Sequence, residues 1–179
     1  MIRYLFFLSL LALSACQSNS LVELDYLPGR DYHAVQSWQW AEPAVQFVPD
    51  SAAHKSDLDA QRVRNAINTQ LAQQGFQHST AAQLLVSAWL ITEDHQQRTQ
   101  IMQSDYWGGM WGPSLRAETY DTTYATQKLQ IDILDASNQQ LIWRGSDNWI
   151  LPQQRTSPAE RDAKLRQHVQ QILQHFPPN

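Results

Sequence analysis

The chain has 179 residues, 42% of them hydrophobic and 17% charged, with a formal net charge of -4; this composition excludes disordered, collagen-like and multi-span membrane chains and fits one globular domain. A body of this size buries roughly 70% of its unfolded surface and holds a core without metal or disulfide. Thirteen Lys and Arg, nowhere clustered, exclude the electrostatic footprint of a nucleic-acid binder, and the single Cys excludes an internal disulfide.

The first segment reads as an address. Met1-Ile2-Arg3 supplies a positive start, Tyr4 to Leu13 is an apolar run broken only by Ser9, and the small residues Ser14 and Ala15 follow. Such a run makes a helix of about 15 Å, half the ~30 Å hydrocarbon core, too short for a spanning anchor. The tetrad Leu13-Ser14-Ala15-Cys16 resembles the lipobox of bacterial lipoproteins. The resemblance implies cleavage before Cys16 and acyl chains on its sulfur, so that Cys16 is an anchor and not a catalyst. Two or three acyl chains hold a protein to a bilayer for long periods, at about 0.8 kcal/mol per buried CH₂. Gln17 stands where the inner-membrane retention pattern of enteric-type bacteria has Asp, so the expected destination is the outer membrane, facing the periplasm. The expected organisation is a signal peptide over residues 1–15, the lipidated Cys16 with a short tether to residue 21, and a single domain over residues 22–179.

Leu21 to Leu27 and Tyr32 to Trp40 read as two extended segments joined by the turn Pro28-Gly29-Arg30-Asp31, and residues 41–55, with Pro43, Pro49 and Asp50, read as a loop. Ser56 is a good N-cap, and Ala60, Val63, Ile67 and Leu71 recur at helical spacing until Gly75. Leu84 to Ile91 is apolar on both alternations, the pattern of a central strand covered on two faces. From Glu93 to Gln103 the chain turns polar, as the exposed half of that strand or as a hairpin. Next comes a loop loaded with aromatics, Tyr106-Trp107-Gly108-Gly109-Met110-Trp111-Gly112-Pro113. Leu129, Ile131 and Ile133 alternate with Lys128, Gln130 and Asp132 as a half-buried strand, and Leu141 to Trp149 returns as its hairpin partner. Ser157-Pro158-Ala159-Glu160 is a capping box with Pro at the first helical position, followed by the apolar stripe Leu165, Val169, Ile172, Leu173 and Phe176. These elements predict an α+β fold: a mostly antiparallel or mixed sheet of about five to six strands, packed on one face by two amphipathic helices.

Taken in order, several pieces resemble an uncharacterised family of bacterial lipoproteins, the domain of unknown function numbered 4136. They are the Trp-rich segment ending at Trp40, Arg62-Val63 with Ala66-Ile67 and Leu71, Gly75-Phe76, Ala82 to Val86, Leu129 to Ile133 with Asp135, Leu141 to Gly145, and Phe176-Pro177-Pro178. Trp38, Gln83 and Gln127 depart from its usual Tyr, Asp and Gly. The resemblance spans nearly the whole mature chain and implies location and fold, not an activity.

No catalytic motif is found. The closest helical pair of His, His168 and His175, lies seven residues apart, about 10 Å along a helix, too far for one metal ion and ordinary for a solvated surface. Asp94-His95 lacks a nucleophile elbow, and Gly108-Gly109 with Gly112 lacks the Lys of a phosphate loop. No cofactor and no metal are expected. The aromatic loop has two readings: Tyr106, Trp107, Met110 and Trp111 cover one end of the sheet, or they form an exposed patch that meets a partner or the lipid interface. Trp143 beside Arg144 reads as core packing under a cation–π lid. The expectation is a non-catalytic binding or structural module held to a membrane through Cys16, contacting an envelope protein or an apolar ligand. The alternatives are a carrier of a small apolar molecule, with a dry cavity between helices and sheet, and an envelope hydrolase with a dispersed site.

Overall fold

The computed structural model describes residues 22–51, 55–105, 114–154 and 156–178. In chain order the elements are β1 (Glu23–Tyr26), β2 (Ser37–Val48), α1 (Asp57–Gln73), β3 (Gln77–His78), β4 (Leu84–Asp105), β5 (Ser114–Asp135), β6 (Leu141–Ile150) and α2 (Pro158–Leu173). The six strands form one mixed sheet in the order β1-β6-β5-β4-β2-β3, with β2 parallel to β3 and β4 and the other pairings antiparallel. Parallel neighbours need a crossover, and α1 supplies it between β2 and β4. The fold class expected from the sequence is the one found.

Both helices are set by their caps. The Ser56 side chain accepts the Asp59 N–H at the start of α1. At its end Gly75 adopts φ 90°, while the Gly75 and Phe76 N–H groups bond the Ala72 and Leu71 carbonyls, a Schellman closure that needs a left-handed residue at this point. The capping box of Ser157 and Glu160 opens α2.

The helices cover one face of the sheet. Cross-strand rungs there run Trp40–Val86–Ile133–Trp143, Val45–Ala88–Ile131–Gly145 and Phe47–Leu90–Leu129–Asp147, and against them pack Val63, Ile67 and Leu71 of α1 and Leu165, Val169, Ile172 and Leu173 of α2. Phe176 closes the end of this core, with ring contacts to Tyr32, Phe76 and Trp143, and the Tyr32 hydroxyl donates to the Ile142 carbonyl at 2.6 Å.

Four expectations are corrected. Residues 41–48 are strand, not loop: Pro43 is tolerated because the β2–β4 register shifts between Trp40 and Val45, and because β3 pairs only with Ser37 and Trp38, leaving the rest of β2 as an edge. Conversely, residues 32–36, read as the first half of this strand, are turn and irregular backbone. The helices cover only one face of Leu84–Ile91; on the other, among the described residues, Leu85, Trp89 and Ile91 are partly buried with no helix over them. β5 starts well before Lys128, because Ser114–Gln127 pairs with the polar continuation of β4. This pairing makes the polar stretch after Glu93 both a strand and one arm of a hairpin.

Candidate functional site

Two features are left over once the core is built: the uncovered sheet face and the hairpin that outruns the sheet. On the uncovered face the register sets side chains in rows: Gln39–Leu85–Leu134, then Ser87–Asp132–Arg144–Asp25, then Gln46–Trp89–Gln130–Ser146–Glu23. Asp132 is 6% exposed. Its carboxylate is bound two-pronged by Arg144, Nε and Nη2 each donating at 2.7 Å, with Gln130 donating to both oxygens at 3.2 Å. Hydrogen bonding to Asp132 raises the Arg144 guanidinium above its ordinary value, as expected for a fork–carboxylate pair. In the next row Lys128 donates to Glu23 at 2.8 Å, and that hydrogen bond holds the Glu23 carboxyl below its usual range. A hollow of about 550 Å³ lies over the β2 side of this face, lined among others by Gln39, Pro43, Gln46, Leu85, Trp89 and the Asp132–Arg144 pair.

The hairpin is the second feature. β2 stays paired with β4 only to Ile91, and β6 with β5 only from Thr126. From His95 opposite Tyr124 to Asp105 opposite Ser114, the two strands pair with each other alone among the described residues. That is an arm of about 35 Å at ~3.3 Å per residue. It is held by the stacked rings of His95 and Tyr124, a bond between His95 Nε2 and Thr126 Oγ1 at 2.9 Å, and Arg98 donating to Asp121 at 3.0 Å. Ile101, Met102 and Tyr120 are 50%, 74% and 51% exposed. Strand alternation places Ile101 and Met102 on opposite faces of the arm, so each face presents apolar surface.

Within the helix–sheet interface, His168 Nδ1 meets Asp147 Oδ2 at 2.6 Å, and its ring stacks on Trp149 at 3.8 Å. His168 is 7% exposed, which corrects its reading as solvated surface: α2 turns this position inward onto β6. Burial holds its imidazole below the ordinary range, against the opposing pull of Asp147. Nε2 has no hydrogen-bond partner, so the pair lacks the third group that would make it a nucleophile-activating relay. Trp143 is core as expected, but Arg144 points to the other face and binds Asp132, because neighbours on a strand diverge; the cation–π lid is not formed.

Leu13, Ser14, Ala15 and Cys16 lie outside the described residues, as do Tyr106, Trp107, Met110 and Trp111 of the aromatic loop. Among the described residues no group of three or more His, Cys, Asp or Glu could hold a metal ion, and no helix is long and apolar enough to cross a membrane. The Asp132–Arg144 pair was missed by sequence reasoning, because the two are set opposite each other by a register shift between Ile133 and Leu134 that the turn does not announce. Trp89 was read only as part of a strand covered on both sides.

The profile of one family, described as Domain of unknown function (DUF4136), matches residues 22–178. No curated protein matches the chain. Among solved structures it is similar to a PDZ domain protein from Parabacteroides distasonis, with 11% identity and a TM-score of 0.55 over 89% of this chain and 36% of that one. The chain thus spans about a third of that protein's length, and the likeness is one of fold alone. It is also similar to the PelC dodecamer from Paraburkholderia phytofirmans, with 9% identity and a TM-score of 0.43, covering 86% and 95% of the two chains. A putative neuraminyllactose-binding hemagglutinin homolog from Helicobacter pylori shares 10% identity and a TM-score of 0.38, covering 86% and 89%.

Proposed function

The chain belongs to the DUF4136 family, and from that premise we propose that it is a lipid-anchored, non-catalytic binding module of the bacterial envelope. Acyl chains on Cys16 hold it to the periplasmic side of the outer membrane, and the β4–β5 arm reaches a protein partner. The observation that carries this reading is the arm itself. A two-stranded ribbon is marginal in water without a third strand or a packed face, yet this one runs from His95 and Tyr124 outward with no third strand among the described residues. Its outer edges carry backbone donors and acceptors able to pair with an added strand, and Ile101, Met102 and Tyr120 supply apolar surface on its two faces. Such a ribbon is built to be completed by something else.

Binding fits the side chains better than catalysis does. Among the described residues the buried acid–imidazole pair, Asp147 with His168, is stacked under Trp149 and lacks a nucleophile at Nε2. The carrier alternative fits less well, since the helix–sheet interior is filled by side chains such as Ile67, Ile131, Trp143 and Ile172, all 1% exposed or less.

The test is site-specific photocrosslinking in intact cells from Gln100 and Thr119, on the arm, and from Asn65, on the outer face of α1. A defined envelope protein captured from the arm positions but not from Asn65, and lost when Cys16→Ala releases the chain from the membrane, supports the proposal. Equal capture from all three positions, or none from the arm, overturns it.

A further inference from the structure

We propose that the uncovered sheet face is a second, separate binding site, for an uncharged carbohydrate seated on Trp89. The inference rests on the chemistry of the hollow and is independent of the arm. At about 550 Å³ the hollow has the size of a small-molecule site. Its lining combines an indole and aliphatic groups (Trp89, Leu85) with polar ends: Gln46 beside Trp89 in register, Gln39 beside Leu85, and Ser87 beside Asp132.

Charge narrows the ligand. Among the described residues the lining holds one cation, Arg144, whose Nε and Nη2 are committed to Asp132, and Glu42 adds a further carboxylate at the rim. An anionic ligand would meet no uncommitted positive charge there. An aliphatic chain would fill the hollow but leave the Gln39, Gln46 and Ser87 polar groups facing hydrocarbon without hydrogen bonds, which is costly. A pyranose satisfies both constraints. Its axial C–H groups form an apolar face that lies on an aromatic ring, and its rim hydroxyls are donors and acceptors at once. That matches Gln side chains, which offer two donors and an acceptor each. The fork–carboxylate pair holds the Arg144 guanidinium in fixed geometry, and its Nη1, which takes no part in the pair, is a donor suited to a ring hydroxyl.

The test uses the full-length lipidated protein in a detergent without a sugar headgroup, with ligand binding read by saturation-transfer NMR and calorimetry. The probes are cellotetraose, maltotetraose and fully N-acetylated chitotetraose, with tetragalacturonate as the anionic counterpart and palmitate as the acyl-chain one. Saturable binding of at least one uncharged tetrasaccharide is expected, with no competition from tetragalacturonate or palmitate. Trp89→Ala weakens it roughly tenfold or more, the effect of losing one aromatic anchor. Gln39→Ala/Gln46→Ala, at partly exposed positions that leave the core intact, weakens it severalfold with an unchanged circular dichroism spectrum, and Ile101→Ser on the arm leaves it unchanged. Absence of binding by all three tetrasaccharides, binding undiminished in the double Gln variant, or preference for tetragalacturonate or palmitate overturns the proposal. Because none of these outcomes touches the arm, loss of crosslinking there and loss of sugar binding here are read separately.

Discussion

His168 and Asp147 meet inside the helix–sheet layer, where neither is accessible enough for water to replace the bond between them. The neighbours that bear on this imidazole are Asp147, which favours its charged form, and Lys164, which opposes it together with burial. Since burial wins, the folded state holds the ring more neutral than the unfolded chain does, whose value stands at 6.5. As pH falls, the unfolded chain binds the proton first; the stabilisation is complete above that value and is lost as pH drops through it toward the lower folded value. The urea midpoint is therefore expected to fall between about pH 7.5 and about pH 5.5, and His168→Gln to flatten that slope while costing about 1–3 kcal/mol at the upper end, where Asp147 loses its partner. An equal slope in the variant would assign the effect to another histidine. A separate acid window belongs to Asp135. Bonds from the Ser137 side chain and backbone, and then from Arg30, lower its carboxyl to about 2, so its contribution is present above 3.8 and disappears as pH falls toward about 2. At Gly145 the constraint is steric. A Cβ there would fall 2.6 Å from Ile172 Cγ2 and against the Trp143 ring, so Gly145→Ala is expected to cost about 1–3 kcal/mol by overpacking, measured by urea denaturation.

The helices and the arm differ in how far they depend on the body. α1 is fixed by its Ser56 cap and by Val63, Ile67 and Leu71 against the sheet. Ser56→Ala, which leaves the Asp59 N–H without its acceptor, is expected to cost about 1 kcal/mol, a fall of roughly 2–4 °C in Tm for a domain of this size. Among the described residues, the arm outside Gln96 and Thr123, which face each other in register, contributes none to the core cluster. Replacing residues 97–122 with a two-residue Asn-Gly turn closes the hairpin at that rung. The body is expected to keep its Tm within roughly 2–4 °C while losing the arm crosslinks. A larger drop would mean that the arm packs on the body.

For the whole molecule, the proposed anchoring at Cys16 is expected to be separable from folding. The described residues begin at Val22, several positions after Cys16, and among them the core cluster starts at Tyr32. Cys16→Ala is therefore expected to shift the protein from the membrane pellet to the osmotic-shock fluid, with the urea midpoint of the folded part unchanged. Recovery of this variant still in the membrane pellet would show that the thioether is not what holds the wild-type chain.

The sequence by itself determined both helices with their caps, the β5–β6 hairpin and the inward face of Leu129, Ile131 and Ile133, because each rests on local periodicity and on side chains a few residues apart, such as Ser157 with Glu160 or Leu129 with Ile131. It also carried the family resemblance that the match over residues 22–178 bears out. Strand order was beyond it: β1 and β2 follow each other in the chain yet lie far apart in the sheet, since pairing is chosen by the packing of all strands together. So was the strand through Pro43, which a register shift beside a short edge strand makes tolerable. Only the tertiary structure decided that His168 is buried, that Arg144 turns from Trp143 to Asp132, and that the helices leave one face of the sheet, with Trp89 on it, uncovered among the described residues. Period-two alternation tells which residues share a face, but what covers that face depends on where distant helices settle.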